Sequence, residues 1–270
     1  MGNYYPFLKD EIGHTMIKLL GVLLSGWLAV GAATVQAESK LPDTLAKIKP
    51  GIVAVGTYLP KRNPRASFMG TGFVIAPGNL VVTNAHVIPE LLDREHLEEV
   101  AVFYRQGDEE RMLPATVAAT DKAHDLAVLK ISATLTALPL GDAAAVREGQ
   151  VYAFTGYPIG MVLGLFPVTH RGMISAITPN VIPTINAGQI NPKLISRLET
   201  PYKVFQLDAT AYPGNSGSPL YDADSGKVVG VIDKVFVQES KESVLSHPSG
   251  ISYAIPVTHL DNLLKDKQLR

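Results

Sequence analysis

Past residue 50, short apolar runs alternate with breaks rich in Gly, Pro, Asn and Asp. Ile52–Val55, Gly72–Ile75, Leu80–Thr83, Val100–Tyr104, Ala115–Ala119 and Leu126–Ile131 form one series. Val151–Gly156, Thr169–Ile177, Val204–Leu207, Ser218–Tyr221, Val228–Ile232 and Ser252–Ile255 form a second. Runs of this kind, closed by turn-forming residues, predict strands. Many short strands at close spacing point to an all-β sandwich or barrel, and periodicity alone does not choose between them. Leu41–Lys49 and Val257–Lys267 carry helical spacing instead, the second predicting a C-terminal helix packed on the strands. Residues 132–150, with Leu140-Gly141-Asp142, read as a connector between the two series. Residues 178–203 are long for a β connection and hold Pro179, Pro183, Asn186, Gly188, Pro192 and Pro201. Such a stretch is either a lid or regulatory loop beside a cleft or a surface insertion.

The pattern changes character before residue 40. Residues 17–33, IKLLGVLLSGWLAVGAA, are nearly all apolar, and Val35 and Ala37 have the small-residue spacing that precedes a signal-peptidase cut. This predicts an exported protein with Glu38 as its new N-terminus, an uncleaved signal anchor being the alternative. Asp10 and Glu11 suit an n-region poorly, so either Met16 is the true start or the n-region is long. Export would permit disulfides, yet the chain has no cysteine, so its 46% apolar content must hold the fold through the core alone. A net charge of −1 with both signs interspersed gives no footprint for nucleic acid. Runs such as Glu95 to Glu99 and Asp108-Glu109-Glu110-Arg111 read as solvated faces, and no internal repeat stands out.

Candidate chemistry sits at the ends of the apolar runs. Gly214-Asn215-Ser216-Gly217 follows one run and precedes Ser218-Pro219-Leu220, where a strand must break into a tight loop. Glycines there let the backbone turn sharply and bring amide N–H groups close to a bound carbonyl. By itself this is also ordinary turn composition. Upstream, Thr83-Asn84-Ala85-His86-Val87 closes one run and His124-Asp125 opens another. A hydroxyl is a poor nucleophile at neutral pH; a histidine must take its proton, and a carboxylate must fix the imidazole's tautomer. Asp121, Asp142 and Asp208 are rival acids. Of the seven histidines, His96, His247 and His259 sit in polar surroundings and are expected at the surface. His170 reads as structural, and His124 should point away from Asp125 if both lie on a strand. No paired-His spacing predicts a metal site, and Gly70-Thr71-Gly72 lacks the helix and the Lys-Ser/Thr of a nucleotide loop.

Taken in order, Gly70-Thr71-Gly72-Phe73-Val74-Ile75, Thr83-Asn84-Ala85-His86-Val87, Asp125-Leu126-Ala127-Val128-Leu129 and Gly214-Asn215-Ser216-Gly217 resemble the trypsin-like (chymotrypsin-fold) serine peptidases. Ser252-Tyr253-Ala254-Ile255-Pro256 is similar to the bacterial high-temperature-requirement, or Deg-like, branch. The resemblance implies an all-β fold of two antiparallel six-stranded barrels with a C-terminal helix. It divides the chain into a signal peptide over 1–37, an N-terminal barrel over 38–140, and a C-terminal barrel with the helix over 141–270. His86 and Asp125 would come from the first barrel and Ser216 from the second. The N–H groups of Gly214 and Ser216 would form the oxyanion hole. Many Deg-like proteins continue into peptide-binding PDZ domains, for which no room is expected after the helix here.

The expectation is an exported serine endopeptidase working through an acyl-enzyme, with polypeptide substrates and no cofactor or metal. No nucleic-acid partner and no membrane span after signal cleavage are expected. A homo-oligomer stays open, Deg-like relatives often being trimers. The alternative is a silent peptide-binding or chaperone-like module on the same fold. An esterase or acyltransferase is disfavoured because the Ser, Asp, His order of the α/β-hydrolases is not followed. Two departures from the family pattern matter. Ser218 stands where many relatives carry a second glycine, a pattern shared by some glutamate-specific relatives. Asp233 stands where a small hydroxyl or amide is usual, and is expected to turn to solvent or to Lys234. The pocket for the residue before the cut would be walled by Thr210, Ala211, Ile232 and Asp233. With neutral Thr210 at its base and apolar Ala211 and Ile232 beside it, a small or medium apolar residue is expected.

Overall fold

The computed structural model describes residues 40–158, 164–180, 201–233 and 250–270. The apolar segment 17–33 with its cut site, His14, His247 and residues 181–200 of the long connection lie outside the described residues. Among the described residues, two helices, α1 (Leu41–Ile48) and α2 (Val257–Asp266), flank the strands. The first series folds as β1 (Ile52–Tyr58), β2 (Ala66–Ile75), β3 (Leu80–Asn84), β4 (Glu99–Gln106), β5 (Glu109–Asp121) and β6 (Leu126–Ile131). These close antiparallel into a barrel of order β1-β2-β3-β6-β5-β4. The second series folds as β7 (Val151–Gly156), β8 (Val168–Pro179), β9 (Lys203–Asp208), β10 (Pro219–Tyr221), β11 (Val228–Asp233) and β12 (Ile251–Pro256). It closes in the order β10-β11-β12-β9-β8-β7. Closure answers what periodicity left open, and it leaves no strand edge unpaired in either barrel.

Alternation along a strand sorts side chains onto two faces. Val53, Val55, Val74, Val81, Val100 and Val102 make one buried cluster; their neighbours Ile52, Ala54, Phe73, Ile75, Val82 and Phe103 join a larger one that runs through the second barrel. Helix α2 belongs to the larger cluster through Val257, Leu260, Leu263 and Leu264. Ten residues are too few for a stable isolated helix. Four buried aliphatic side chains at roughly 1.5–3 kcal/mol each outweigh that deficit, so packing makes this helix.

Strand ends differ from the apolar runs for identifiable reasons. β5 begins at Glu109 because its polar start pairs in register with β4, Glu109 opposite Gln106 and Arg111 opposite Tyr104. β10 starts one residue late because the Ser218 N–H donates to the Asn215 carbonyl and stays in the loop. The connector stitches the barrels together: Leu138 N–H donates to Val74, Gly141 N–H to Val228, and Val228 N–H back to Pro139.

Candidate active site

β3 ends in a single 3-10 turn, Ala85–Val87, which lifts His86 out of the strand. Asp125 ends the turn before β6, with φ of 50°. That left-handed backbone is uncommon outside glycine and persists only where its surroundings hold it. Here they do. The Asp125 carbonyl accepts from the Ala85 N–H at 3.1 Å and from the Asn84 side chain at 3.0 Å. Its carboxylate accepts the His86 N–H at 2.9 Å on Oδ1 and meets His86 Nδ1 at 2.6 Å on Oδ2. The carboxylate therefore fixes both the ring plane and the tautomer: Nδ1 carries the proton, and Nε2 is left to accept one.

Ser216 lies in the loop between β9 and β10 and is 4% exposed. The loop is held one peptide in two. The 214–215 peptide is tied at both ends, its carbonyl accepting from Thr71 Oγ1 at 2.7 Å and its N–H donating to Tyr212 at 3.0 Å. The 216–217 peptide is tied likewise, its carbonyl accepting from the Thr71 N–H at 2.8 Å and its N–H donating to Ile232 at 2.9 Å. The alternate peptides, 213–214 and 215–216, carry the N–H groups of Gly214 and Ser216, which have no acceptor among the described residues. Gly214 and Gly217 take φ of 99° and 87°, and a Cβ on Gly217 would lie 2.0 Å from the Thr71 carbonyl, so only glycine fits there. The nucleophile loop and the histidine turn meet at Gly70, where an added Cβ would come within 3 Å of both Val87 and the Ser216 carbonyl.

Asp233 does not turn to solvent. It is 1% exposed. One ligand-type atom from each of His86, Asp125 and Asp233 lies within 4.8 Å of the other two. Such a trio has the donors to hold a cation. The 2.6 Å between Nδ1 and Oδ2, however, is the length of a shared proton, shorter than the separation of about 3.3 Å between tetrahedral zinc ligands. Ile232 is fully buried in the core, Ala211 is 9% exposed, and Thr210 is partly exposed.

The remaining candidates have other partners. Asp208 is exposed. Asp142 accepts the Ala144 N–H of a 3-10 turn. Asp121 pairs with His124, Nδ1 to Oδ2 at 2.6 Å. His124 and Asp125 are on a turn rather than a strand, so strand alternation is not what separates them. His259 is half-buried rather than fully exposed: it stacks on His124 with ring centroids 4.0 Å apart, and Tyr202 meets both rings edge-on. Burial, and then the charge of His124, pull the His259 pKa down to about 4. His170 stacks on Phe154, and burial lowers its pKa. Ser218 is buried without positive φ, and its Oγ lies 2.0 Å from where a Cβ on residue 156 would be, so Gly156 makes its room. Sequence reasoning missed Thr71, Gly156 and the second His–Asp pair. Gly70-Thr71-Gly72 marked the place of the first but not its role.

Comparison with known proteins agrees with this fold. The family described as "Trypsin-like peptidase domain" matches residues 70–231. A "Probable periplasmic serine endoprotease DegP-like" of Halomonas elongata is 33% identical over 190 residues, covering 70% of this chain and 33% of that protein. "Serine protease HTRA2, mitochondrial" of Bos taurus is 31% identical, covering 83% and 42%. "Serine protease PepD" of Mycobacterium tuberculosis is 29% identical, covering 85% and 47%. The chain thus spans a third to just under a half of these relatives. Among solved structures, the "HtrA-type protease AlgW with tripeptide" shares the fold, with a TM-score of 0.56 at 24% identity, covering 83% of this chain and 62% of that one.

Proposed function

The chain belongs to the trypsin-like peptidase family, and we propose from this that it is a serine endopeptidase of the HtrA/Deg type cutting polypeptides through an acyl-enzyme. Ser216 attacks the scissile carbonyl. His86 takes its proton and returns it to the leaving amine. Asp125 holds the imidazole and stabilises it when charged. The N–H groups of Gly214 and Ser216 receive the oxyanion. The observation that carries this reading is the His86–Asp125 pair, with its 2.6 Å contact, set beside a serine loop whose two relevant N–H groups are unused among the described residues.

The pocket for the residue before the cut takes a small or medium apolar side chain, from Thr210 and Ala211, with Ile232 buried in the core behind them. The proximity of Asp233 to His86 and Asp125, one atom of each within 4.8 Å, supports this by occupying its carboxylate elsewhere than with a basic substrate side chain. The protein is exported, a reading that rests on residues 17–37 and finds support in the periplasmic name of the Halomonas relative.

A fluorophosphonate probe tests the chemistry: it should label the wild type on Ser216 and leave Ser216→Ala unlabelled. Absence of labelling with a folded protein would favour the silent binding module instead. Cleavage of a peptide library tests the pocket, and dominance of Lys, Arg or Glu before the cut would overturn the apolar assignment. Intact-mass measurement on protein from its native host should find Glu38 first.

A further inference from the structure

Thr71 is fully buried on β2, yet every polar atom it has is used. Its hydroxyl donates to the Gly214 carbonyl at 2.7 Å and accepts the Tyr157 N–H at 2.9 Å. Its own N–H donates to the Ser216 carbonyl at 2.8 Å, and its carbonyl accepts the Thr83 hydroxyl at 2.7 Å. One residue of the first barrel therefore holds two carbonyls of the serine loop of the second. Tyr157, which the hydroxyl also engages, sends its phenol back to the Ile52 carbonyl on β1 at 3.2 Å.

The consequence falls on Gly214. A glycine at φ of 99° has no side chain to limit it, and other backbone states are open to it. The plane of the 214–215 peptide is fixed by the hydroxyl on one side and Tyr212 on the other. With that plane fixed, the flanking 213–214 and 215–216 peptides, which carry the Gly214 and Ser216 N–H groups, have less freedom to turn. Without the hydroxyl, the part-buried Gly214 carbonyl and the buried Tyr157 N–H lose their partner, and the peptide is free to rotate to find another.

We propose that Thr71 is a positioning residue for the oxyanion site: its hydroxyl, buried between the barrels, locks the Gly214 peptide so that the loop is set before substrate arrives. The inference rests on the endopeptidase reading above. Its role is confined to the transition state, because the oxyanion appears only there.

Thr71→Val keeps the shape and removes the hydroxyl; Thr71→Ser keeps the hydroxyl and removes a methyl. Steady-state cleavage of a chromogenic peptide, with the unfolding midpoint recorded for each variant, should show kcat of Thr71→Val down about 10- to 100-fold, KM within about twofold, and most of kcat recovered in Thr71→Ser. A peptide boronic acid, which makes a tetrahedral adduct on the serine, should lose affinity for Thr71→Val by a similar factor. An unchanged kcat in folded Thr71→Val, a loss confined to KM, or equal damage in Thr71→Ser at an equal midpoint would each overturn the assignment. If the wild type shows no turnover that Ser216→Ala abolishes, the endopeptidase reading itself falls, and this one with it.

Discussion

The turn between β5 and β6 holds one residue of each of two His–Asp pairs built alike, and only the His86 pair sits on the turn that meets the serine loop at Gly70. At one end Asp125 takes the His86 N–H on Oδ1 at 2.9 Å and the ring on Oδ2 at 2.6 Å. At the other, Asp121 takes the His124 N–H on Oδ1 at 3.1 Å and the ring on Oδ2 at 2.6 Å. Even their side-chain exposures match, 30% and 19% against 25% and 23%. The pair itself is thus a local device, a carboxylate clasping a histidine's backbone and ring together. Surroundings separate the two. His86 has Asp233 and the serine loop at hand; His124 has the rings of His259 and Tyr202. A general base needs a nucleophile within reach, which we propose the serine loop supplies to His86.

The strongest way to break this comparison is to delete each histidine's chemistry in turn. Ser216→Ala and His86→Ala should each lower kcat by about 10⁴-fold or more, since members of such a triad act as a unit. His124→Ala should stay within about tenfold of wild type, as a change outside the reacting group. Equal losses at His86 and His124 in an active-site-titrated assay would erase the distinction. The acids give the next test. Asp125→Asn leaves the ring in the wrong tautomer and should cost about 10⁴-fold in kcat. Asp121→Asn should cost little turnover and show chiefly as a lower unfolding midpoint.

A smaller effect separates the pairs by charge. Among the described residues, of the two pairs only that of His86 has a second carboxylate, Asp233, within 4.8 Å. A negative neighbour favours the charged imidazole, which cannot act as base. Asp233→Asn should therefore move the acid limb of the kcat/KM profile to lower pH. A limb that stays in place would mean that the Asp233 charge is not felt by the site.

The smallest effect on activity belongs to the other pair, where stability is the readout. The His259 pKa is lowered from 6.5 to about 4 by burial first and then by His124. The folded state therefore binds this proton less readily than the unfolded one, so stability is full above about pH 6.5 and falls progressively as pH drops toward 4. In His259→Phe, chemical unfolding across that window should show a shallower decline, while kcat at pH 8 changes by less than about twofold. A decline as steep as in the wild type would remove His259 from the acid sensitivity of the fold.

Much of the architecture was legible because strand alternation and turn chemistry are local. Each of the twelve apolar runs became a strand, and both stretches of helical spacing became helices. The motifs around His86, Asp125 and Ser216 were legible for a related reason: a sharp loop with glycines, or a polar residue ending an apolar run, is written in adjacent residues. Orientation was not. Asp233 was expected to turn to solvent or to Lys234 and is buried beside the His–Asp pair, Lys234 lying outside the described residues; His259 was expected at the surface and is half-buried, stacked on His124. Both errors come from reading neighbours along the chain for residues whose surroundings come from elsewhere in it.

By itself, then, the sequence determined which segments extend, which coil, and which residue types stand at the breaks. Tertiary structure alone decided that Thr71 meets Gly214 across 143 positions and Tyr157 across 86. It also set Gly156 empty so that Ser218 has room, and it held Asp125 in a left-handed backbone between Ala85, Asn84 and His86. The physical reason is the difference between a face and a contact. Alternation along a strand assigns a side chain to a face, but a hydrogen bond needs distance and direction together, and those exist only once both barrels have closed and met.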